Sequence, residues 1–291
     1  MPSLIDIRRR IRSVKNTQQI TKAMKMVSAA KLRRAQSRVV SARPYGALLR
    51  KVLGNVAAAV ASDEQAGGNP LLAVRPEQRV LLVLISSDKG LAGAFNTNLI
   101  KAAQRFVAER ADAGGAGVQI RMELIGRKGR DFFRKRGATI SGEHINMAAK
   151  LVFADVAAIA GKAMEMYRNE EIDAVYLIYN EFKSVVAQIL TTARVLPIEL
   201  PRQTAPVDYI FEQPPREMLD ALLPRYVETE FYRALAESTA AEHAARMTAM
   251  EAATSNAGEM IEKLTLYLNR VRQASITKEI IEVVSGAAAA E

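Results

Sequence analysis

Apolar and small residues recur every three or four positions over two long stretches, one at each end of the chain. From His243 the pattern runs through Met247, Met250, Thr254, Ala257, Ile261, Leu264, Leu268, Val271, Ser275 and Lys278. Alternating spacings of four and three form a heptad register, which predicts a helix lying along another helix. The phase extends back through Ala240 and Ala236 towards Tyr226, and beyond Pro224 there is no proline to break it. A helix over about 216–285 would be ~100 Å long. Its stripe is rich in Ala, Met, Thr and Ser, which allow close approach but bury little each, so this helix needs other protein around it.

Residues 3 to about 60 carry the second pattern. Leu4, Ile7, Ile11 and Val14 keep the three-four spacing, Ile20, Met24 and Val27 resume it in a shifted phase, and Leu49, Val52, Val56 and Ala59 continue it. Ser3 with Asp6 three residues on reads as a capping box. Arg43-Pro44 predicts a bend or a one-turn interruption. At ~80 Å this helix matches the C-terminal one as a partner, and with the chain returning through an intervening domain the pairing is expected to be antiparallel.

Between them the periodicity changes. Residues 61–78, with Gly67, Gly68, Pro70 and Pro76, read as a loop. Val80–Ser86 reads as a buried strand, the turn Ser87–Gly93 feeds a helix over about Phe95–Arg110, and Gln119–Ile125 is a second strand. Arg127–Arg136 is a short basic helix or turn, Leu151–Arg168 a helix, and Ile172–Asn180 with Lys183–Leu196 a hairpin. Parallel neighbours need a helical crossover and the last pair has none, so the expectation is a small α/β domain with a mixed sheet. The predicted organisation is therefore 1–60 helix, 61–78 loop, 79–200 α/β domain, 201–215 linker and 216–291 helix.

Composition narrows the chemistry. The absence of cysteine excludes disulfides, thiolate metal sites and cysteine catalysis. The longest strictly aliphatic run, Val80–Ile85, is far short of a membrane span, and Arg8, Arg9, Arg10 and Arg12 interrupt any signal-peptide core. Residues 1–51 contain fourteen Lys or Arg against one acid, Asp6, a local +13 within a formal total of +10, so the remainder carries −3. A polyanionic partner should meet the first helix. Nucleic acid is the rival partner such basicity raises, but the chain has only 5% aromatics and no nucleic-acid-binding motif.

Candidate sites are few. Ser86-Ser87-Asp88-Lys89-Gly90-Leu91-Ala92-Gly93 sits where a nucleotide site would, yet its spacing fits neither GxGxxG nor GxxxxGK[ST]. Gly126-Arg127-Lys128-Gly129-Arg130 reads as a basic turn facing solvent or an acidic partner. His144, in an expected loop, and His243, on the stripe, have no companion at metal-ligand spacing, and Asp88 has no evident catalytic partner. The amides of Asn16-Thr17-Gln18-Gln19 and the polar run Asn269-Arg270 with Arg272-Gln273 stand out more, because amides at a helix pair can fix register and arginine offers a rigid fork for carboxylates.

The stretch Ile11-Arg12-Ser13-Val14-Lys15-Asn16-Thr17-Gln18-Gln19-Ile20-Thr21-Lys22-Ala23-Met24-Lys25-Met26-Val27-Ser28-Ala29-Ala30-Lys31 resembles the N-terminal signature of the gamma subunits of bacterial-type rotary ATP synthases. Arg246-Met247, Ala249-Met250, Ala253-Thr254, Asn256-Ala257, Met260-Ile261 and Asn269-Arg270-Val271-Arg272-Gln273-Ala274-Ser275-Ile276-Thr277-Lys278-Glu279-Ile280 are similar to its C-terminal one. With the turn over Ser87–Asn96 the resemblance spans essentially the whole chain. Ala92-Gly93-Ala94 departs from the usual Gly-Gly, and the cysteine-bearing insert of chloroplast relatives is missing.

The resemblance implies a long antiparallel coiled coil of N- and C-terminal helices with an inserted Rossmann-like small α/β domain. It implies a central-stalk role, carrying torque between a membrane c-ring and a catalytic head of three alpha and three beta subunits. No active site, metal or cofactor of its own is implied, with ATP, ADP and Mg2+ held by alpha and beta. By the same resemblance Met24 and Lys25 lie near an acidic beta segment, and Arg272 and Gln273 engage the beta loop that grips the shaft. Tyr209 and Glu212 lie at the foot near the c-ring, and the epsilon subunit sits against the α/β domain. A regulatory inhibitor subunit is a further partner, and the expected location is the cytoplasmic face of the cell inner membrane, peripheral to it.

Overall fold

The computed structural model describes residues 3–61, 69–113, 117–199 and 212–288. Its elements are α1 (Leu4–Ala61), β1 (Arg79–Ile85), α2 (Phe95–Ala113), β2 (Gln119–Ile125), α3 (Arg127–Arg134), β3 (Ile140–His144), α4 (Phe153–Arg168), β4 (Ala174–Phe182), β5 (Gln188–Leu196) and α5 (Pro215–Ala288), with a 3-10 turn at Pro70–Leu72. Two compact units result: residues 30–245, and residues 1–29 with 246–291.

In the first unit the sheet order is β3-β2-β1-β4-β5. β1 pairs in parallel with β2 and β4, β2 in parallel with β3, and β5 closes one edge antiparallel to β4. The mixed sheet and terminal hairpin are as the crossover lengths predict. β1 is buried on both faces and accordingly reads as a continuous aliphatic run. Leu81, Val83 and Ile85 point to the face covered by α4, Leu49–Val56 of α1 and Leu219–Leu235 of α5. On the opposite face Phe106 of α2 stacks edge-on against Tyr176 of β4 at 5.0 Å. Arg110 lies 3.7 Å from the Phe106 ring centre and 4.5 Å from that of Tyr176. Each large aliphatic side chain fully buried in this way contributes about 1.5–3 kcal/mol.

Strand β3 corrects the sequence reading, which left His144 in a loop. Its residues ISGEH have little strand propensity. It forms because β2 offers a parallel edge and because Gly142 lies opposite Glu123. A Cβ at Gly142 would come within 2.0 Å of Glu123 Oε1. Glu123 is only 1% exposed and is met by His144 Nε2 at 2.7 Å and Lys162 Nζ at 3.2 Å. Burial disfavours its charge, but the hydrogen bonds from His144 and Lys162 outweigh that and hold its carboxyl below the usual range.

Two features of α1 refine the sequence reading. The helix continues through Pro44 without the one-turn interruption, which leaves the first of the two alternatives for Pro44. Pro44 removes a hydrogen bond to the carbonyl of Val40, but both residues are exposed, so water can take that carbonyl. The heptad phase does not shift at Ile20 either. Residues screened from solvent include Leu4, Ile7, Ile11, Val14, Gln18, Thr21, Lys25, Ser28, Leu32, Ala35, Val39, Ala42, Gly46, Leu49, Leu53 and Val56, a set in unbroken alternation of three and four. Ile20 is 60% exposed and Val27 56%.

In the second unit α1 and α5 run antiparallel. Gln18 Nε2 donates to Thr254 O at 3.4 Å, the hydroxyls of Thr21 and Thr254 are 2.8 Å apart, and Lys25 Nζ meets Glu251 at 2.6 Å, so partner numbers fall as α1 advances. Along α5 the screened positions include Met250, Thr254, Ala257, Ile261, Leu264, Leu268, Val271 and Ser275, the register read from sequence, whereas Lys278 is exposed. Ser3 and Asp6 form the expected reciprocal cap, Asp6 N donating to Ser3 Oγ at 3.2 Å and Ser3 N to Asp6 Oδ2 at 3.3 Å.

Candidate interaction surface

The turn after β1 is where a ligand of an open α/β sheet is expected, and here its polar groups are spent on the protein. Ser86 Oγ donates to Ile125 O at 3.0 Å and accepts from Gly129 N at 2.9 Å. Asp88 accepts from Arg127 N at 3.1 Å and Asn146 N at 2.9 Å, so amides that could cradle a phosphate already hold a carboxylate. Gly126, at φ +94°, packs so closely that a Cβ would lie 2.1 Å from Ser86 O. This turn locks β1 to the start of α3. Among the described residues no group of three or more His, Cys, Asp or Glu is placed to hold a metal ion.

The helix pair of residues 1–29 and 246–291 presents a different kind of surface. Its seam mixes large apolar with small and polar residues, and further large apolar side chains are exposed: Ile5, Ile20, Met26 and Val27 on α1, Leu266 on α5, and Ile276, Ile280, Ile281, Val283 and Val284 in the last stretch of α5, where residues 276–285 are all exposed. Leu266 is 70% exposed and Val283 71%. Exposed apolar residues in this number mark a surface that other protein covers. The sequence reading missed Ile20 and Val27 as outward residues, assigning them to the seam. The available signal was the three-four spacing carried on from Val14 through Gln18 and Thr21.

Lys25 holds a part-screened seam position with Met24 part-screened beside it, and the Lys25–Glu251 pair has both side chains partly exposed, 38% and 60%, so it contributes little to stability. Arg272 and Gln273 are exposed on α5. They lie about 32 Å along α5 from Glu251, at 1.5 Å per residue, so the two sequence-predicted contact pairs form separate stations. Glu212 is exposed in the bend preceding α5; Tyr209 lies outside the described residues.

The family model for ATP synthase matches residues 3–290. The ATP synthase gamma chain of Solibacter usitatus (strain Ellin6076) is 76% identical over 291 residues, covering all of both chains. The chain belongs to the ATP synthase gamma-chain family. The gamma chain of Anaeromyxobacter sp. (strain Fw109-5) is 50% identical over 292 residues, covering 99% of each chain. Among solved structures, a chain of the Tetrahymena thermophila mitochondrial ATP synthase central stalk and c-ring matches with a TM-score of 0.61 at 26% identity, over 80% of this chain and 99% of that one. A chain of the Euglena gracilis mitochondrial ATP synthase has the same fold, with a TM-score of 0.66 over 98% of this chain and 94% of that one at 19% identity. A gamma chain is a non-catalytic subunit. The outward apolar face of its helix pair is then the surface to explain, rather than the turn after β1.

Proposed function

We infer that the chain transmits rotation between a membrane ring of c subunits and the catalytic head of an F-type ATP synthase. The observation that carries this reading is the antiparallel helix pair with its large apolar residues turned outward, in a chain 76% identical to a gamma chain. An outer surface with this many large apolar side chains is stable in water only when sheathed.

In the finer reading the sheath is a hexamer of alternating alpha and beta subunits, which hold ATP, ADP and Mg2+. Asymmetric contact with the shaft holds the three beta subunits in different states, a population shift produced by differential contact. Met24 and Lys25 meet an acidic beta segment, Arg272 and Gln273 meet the loop that grips the shaft, and Tyr209 and Glu212 meet the c-ring at the foot. The epsilon subunit packs on the α/β domain, a regulatory inhibitor subunit is a further partner, and the particle sits on the cytoplasmic face of the inner membrane. Proton flow through the ring supplies the torque.

The lack of cysteine makes a single introduced thiol unique. With Lys101→Cys on the exposed side of α2 carrying a bead, the chain assembled with its own organism's alpha and beta subunits should turn in one direction when ATP is added. A stationary bead on complexes that still hydrolyse ATP at full rate would refute the reading.

A further inference from the structure

A cleft of about 500 Å3 opens in the unit of residues 30–245, lined by Arg38 and Tyr45 of α1, Phe153 at the start of α4, and Arg225, Tyr232 and Arg233 of α5. Tyr45 is 55% exposed and Phe153 41%. In a chain with only 5% aromatics, three rings and three guanidinia gather around one opening.

Elsewhere on this protein arginine and aromatic rings that meet satisfy each other. Arg75 lies over Tyr167 at 5.0 Å, Arg110 over Phe106 at 3.7 Å and Arg136 over Phe132 at 3.6 Å. In the cleft they do not: among the described residues no guanidinium lies over Tyr45, Phe153 or Tyr232, and the Phe153 and Tyr232 rings instead tilt towards each other at 5.5 Å and 53°. The charges are only partly spent. Arg225 gives only Nη1 to Glu228, at 3.0 Å, and Arg233 gives Nε and Nη2 to Glu230, leaving its Nη1. Arg38 has no side-chain acceptor among the described residues. With both glutamates counted, the three arginines leave the cleft net positive.

We propose that this cleft binds a nucleoside polyphosphate, its base on the rings of Tyr45 and the Phe153–Tyr232 pair and its phosphates on Arg38 and Arg225. Aromatic faces take any base by stacking, and the guanidinium fork suits phosphate oxygens bidentately. The volume lies in the range of small-molecule sites. Both halves are required: rings alone would take a neutral aromatic, and arginines alone a bare anion. The site is separate from the turn after β1, whose amides are already occupied.

The test is a fluorescence titration of the full-length chain with N-methylanthraniloyl-ATP at low salt, which avoids the nucleotide sites of other subunits. Saturable binding is expected, weakened about tenfold or more by Arg38→Gln with Arg225→Gln, and about tenfold by Tyr45→Ala. Arg38→Lys should retain part of the affinity, and Arg8→Gln with Lys15→Gln, on the same basic helix but away from the cleft, should leave it unchanged. Pyrophosphate and adenosine should each compete more weakly than ATP. No saturable signal in the millimolar range would overturn the proposal. So would equal loss from the control pair, competition by pyrophosphate as strong as by ATP, or stronger competition by a glutamate-rich peptide. Helical circular dichroism of each variant separates loss of binding from loss of folding.

Discussion

Replacing Arg43 by methionine strands the carboxylate of Glu237. That side chain is 1% exposed and accepts from Arg43 Nε at 3.0 Å, Arg43 Nη2 at 3.2 Å and Phe182 N at 3.0 Å. Arg43 also gives Nη2 to Phe182 O at 2.8 Å, so one guanidinium ties β4 to both α1 and α5. Removing one partner of a buried ion pair costs about 3–5 kcal/mol. Arg43 is itself 44% exposed, so water reaches the pair, and the expectation for Arg43→Met is the low end, about 3 kcal/mol. Glu237→Gln keeps an acceptor for Phe182 N and leaves an arginine that can turn to solvent, so about 1–2 kcal/mol is expected. Arg43→Met combined with Glu237→Leu removes the buried charge and leaves only the Phe182 amide groups, at about 1–3 kcal/mol. The double variant should therefore be no less stable than Arg43→Met alone. Urea unfolding of the full chain, with hydrogen exchange at the Phe182 amide reporting on the joint itself, measures all three. A loss below about 1 kcal/mol for Arg43→Met, or a double variant clearly less stable than Arg43→Met alone, would refute the reasoning.

Two glycines should respond in opposite directions to alanine. A Cβ at Gly258 would meet only the far end of the Gln18 side chain, Nε2 at 3.2 Å, whose long 3.4 Å hydrogen bond to Thr254 O can shift by a few tenths of an ångström, so Gly258→Ala should stabilise the helix pair by about 0.5–1 kcal/mol and raise its thermal midpoint. Gly126→Ala drives a Cβ into the backbone of Ser86 at φ +94° and should cost about 3 kcal/mol or more by the same measurement. Burial opposes the charge of Asp173, but side-chain and backbone hydrogen bonds from Arg79 and the amide of Gln78 outweigh it and hold its carboxyl below the usual value. A depressed carboxylate stabilises above its unfolded pKa, and that stability is lost as pH falls through its folded value. Asp173→Asn should therefore lower stability at neutral pH and flatten its decline on the acid side, seen as urea midpoints at several pH values. Lys22→Gln, Lys25→Gln and Lys31→Gln together remove three of the charges behind the local +13. In the assembled complex they should weaken coupling or alter the ATPase rate, and unchanged assembly, hydrolysis and proton pumping would count against an electrostatic role for this helix.

Spacing alone determined the two long helices, the α5 register from Met250 to Ser275 and the mixed sheet with its final hairpin, because these depend on local periodicity and connection length. The gamma-chain signatures were likewise legible, being runs of adjacent residues. Periodicity misread the middle of α1, where Gln18, Thr21, Lys25 and Ser28 hold seam positions and Ile20 and Val27 face outward. Hydrophobicity marks what must leave water and does not say whether the cover is the neighbouring helix or another chain. Strand β3 was invisible for a related reason: ISGEH becomes a strand only because β2 supplies the edge and Glu123 the space that Gly142 leaves. The closing of the Ser86–Gly93 turn by Asp88, the Arg43–Glu237 joint and the cleft between Arg38 and Tyr232 all join residues at least 39 positions apart. Those pairings were decided in three dimensions, because hydrogen bonds and ion pairs depend on distances that no one-dimensional pattern encodes.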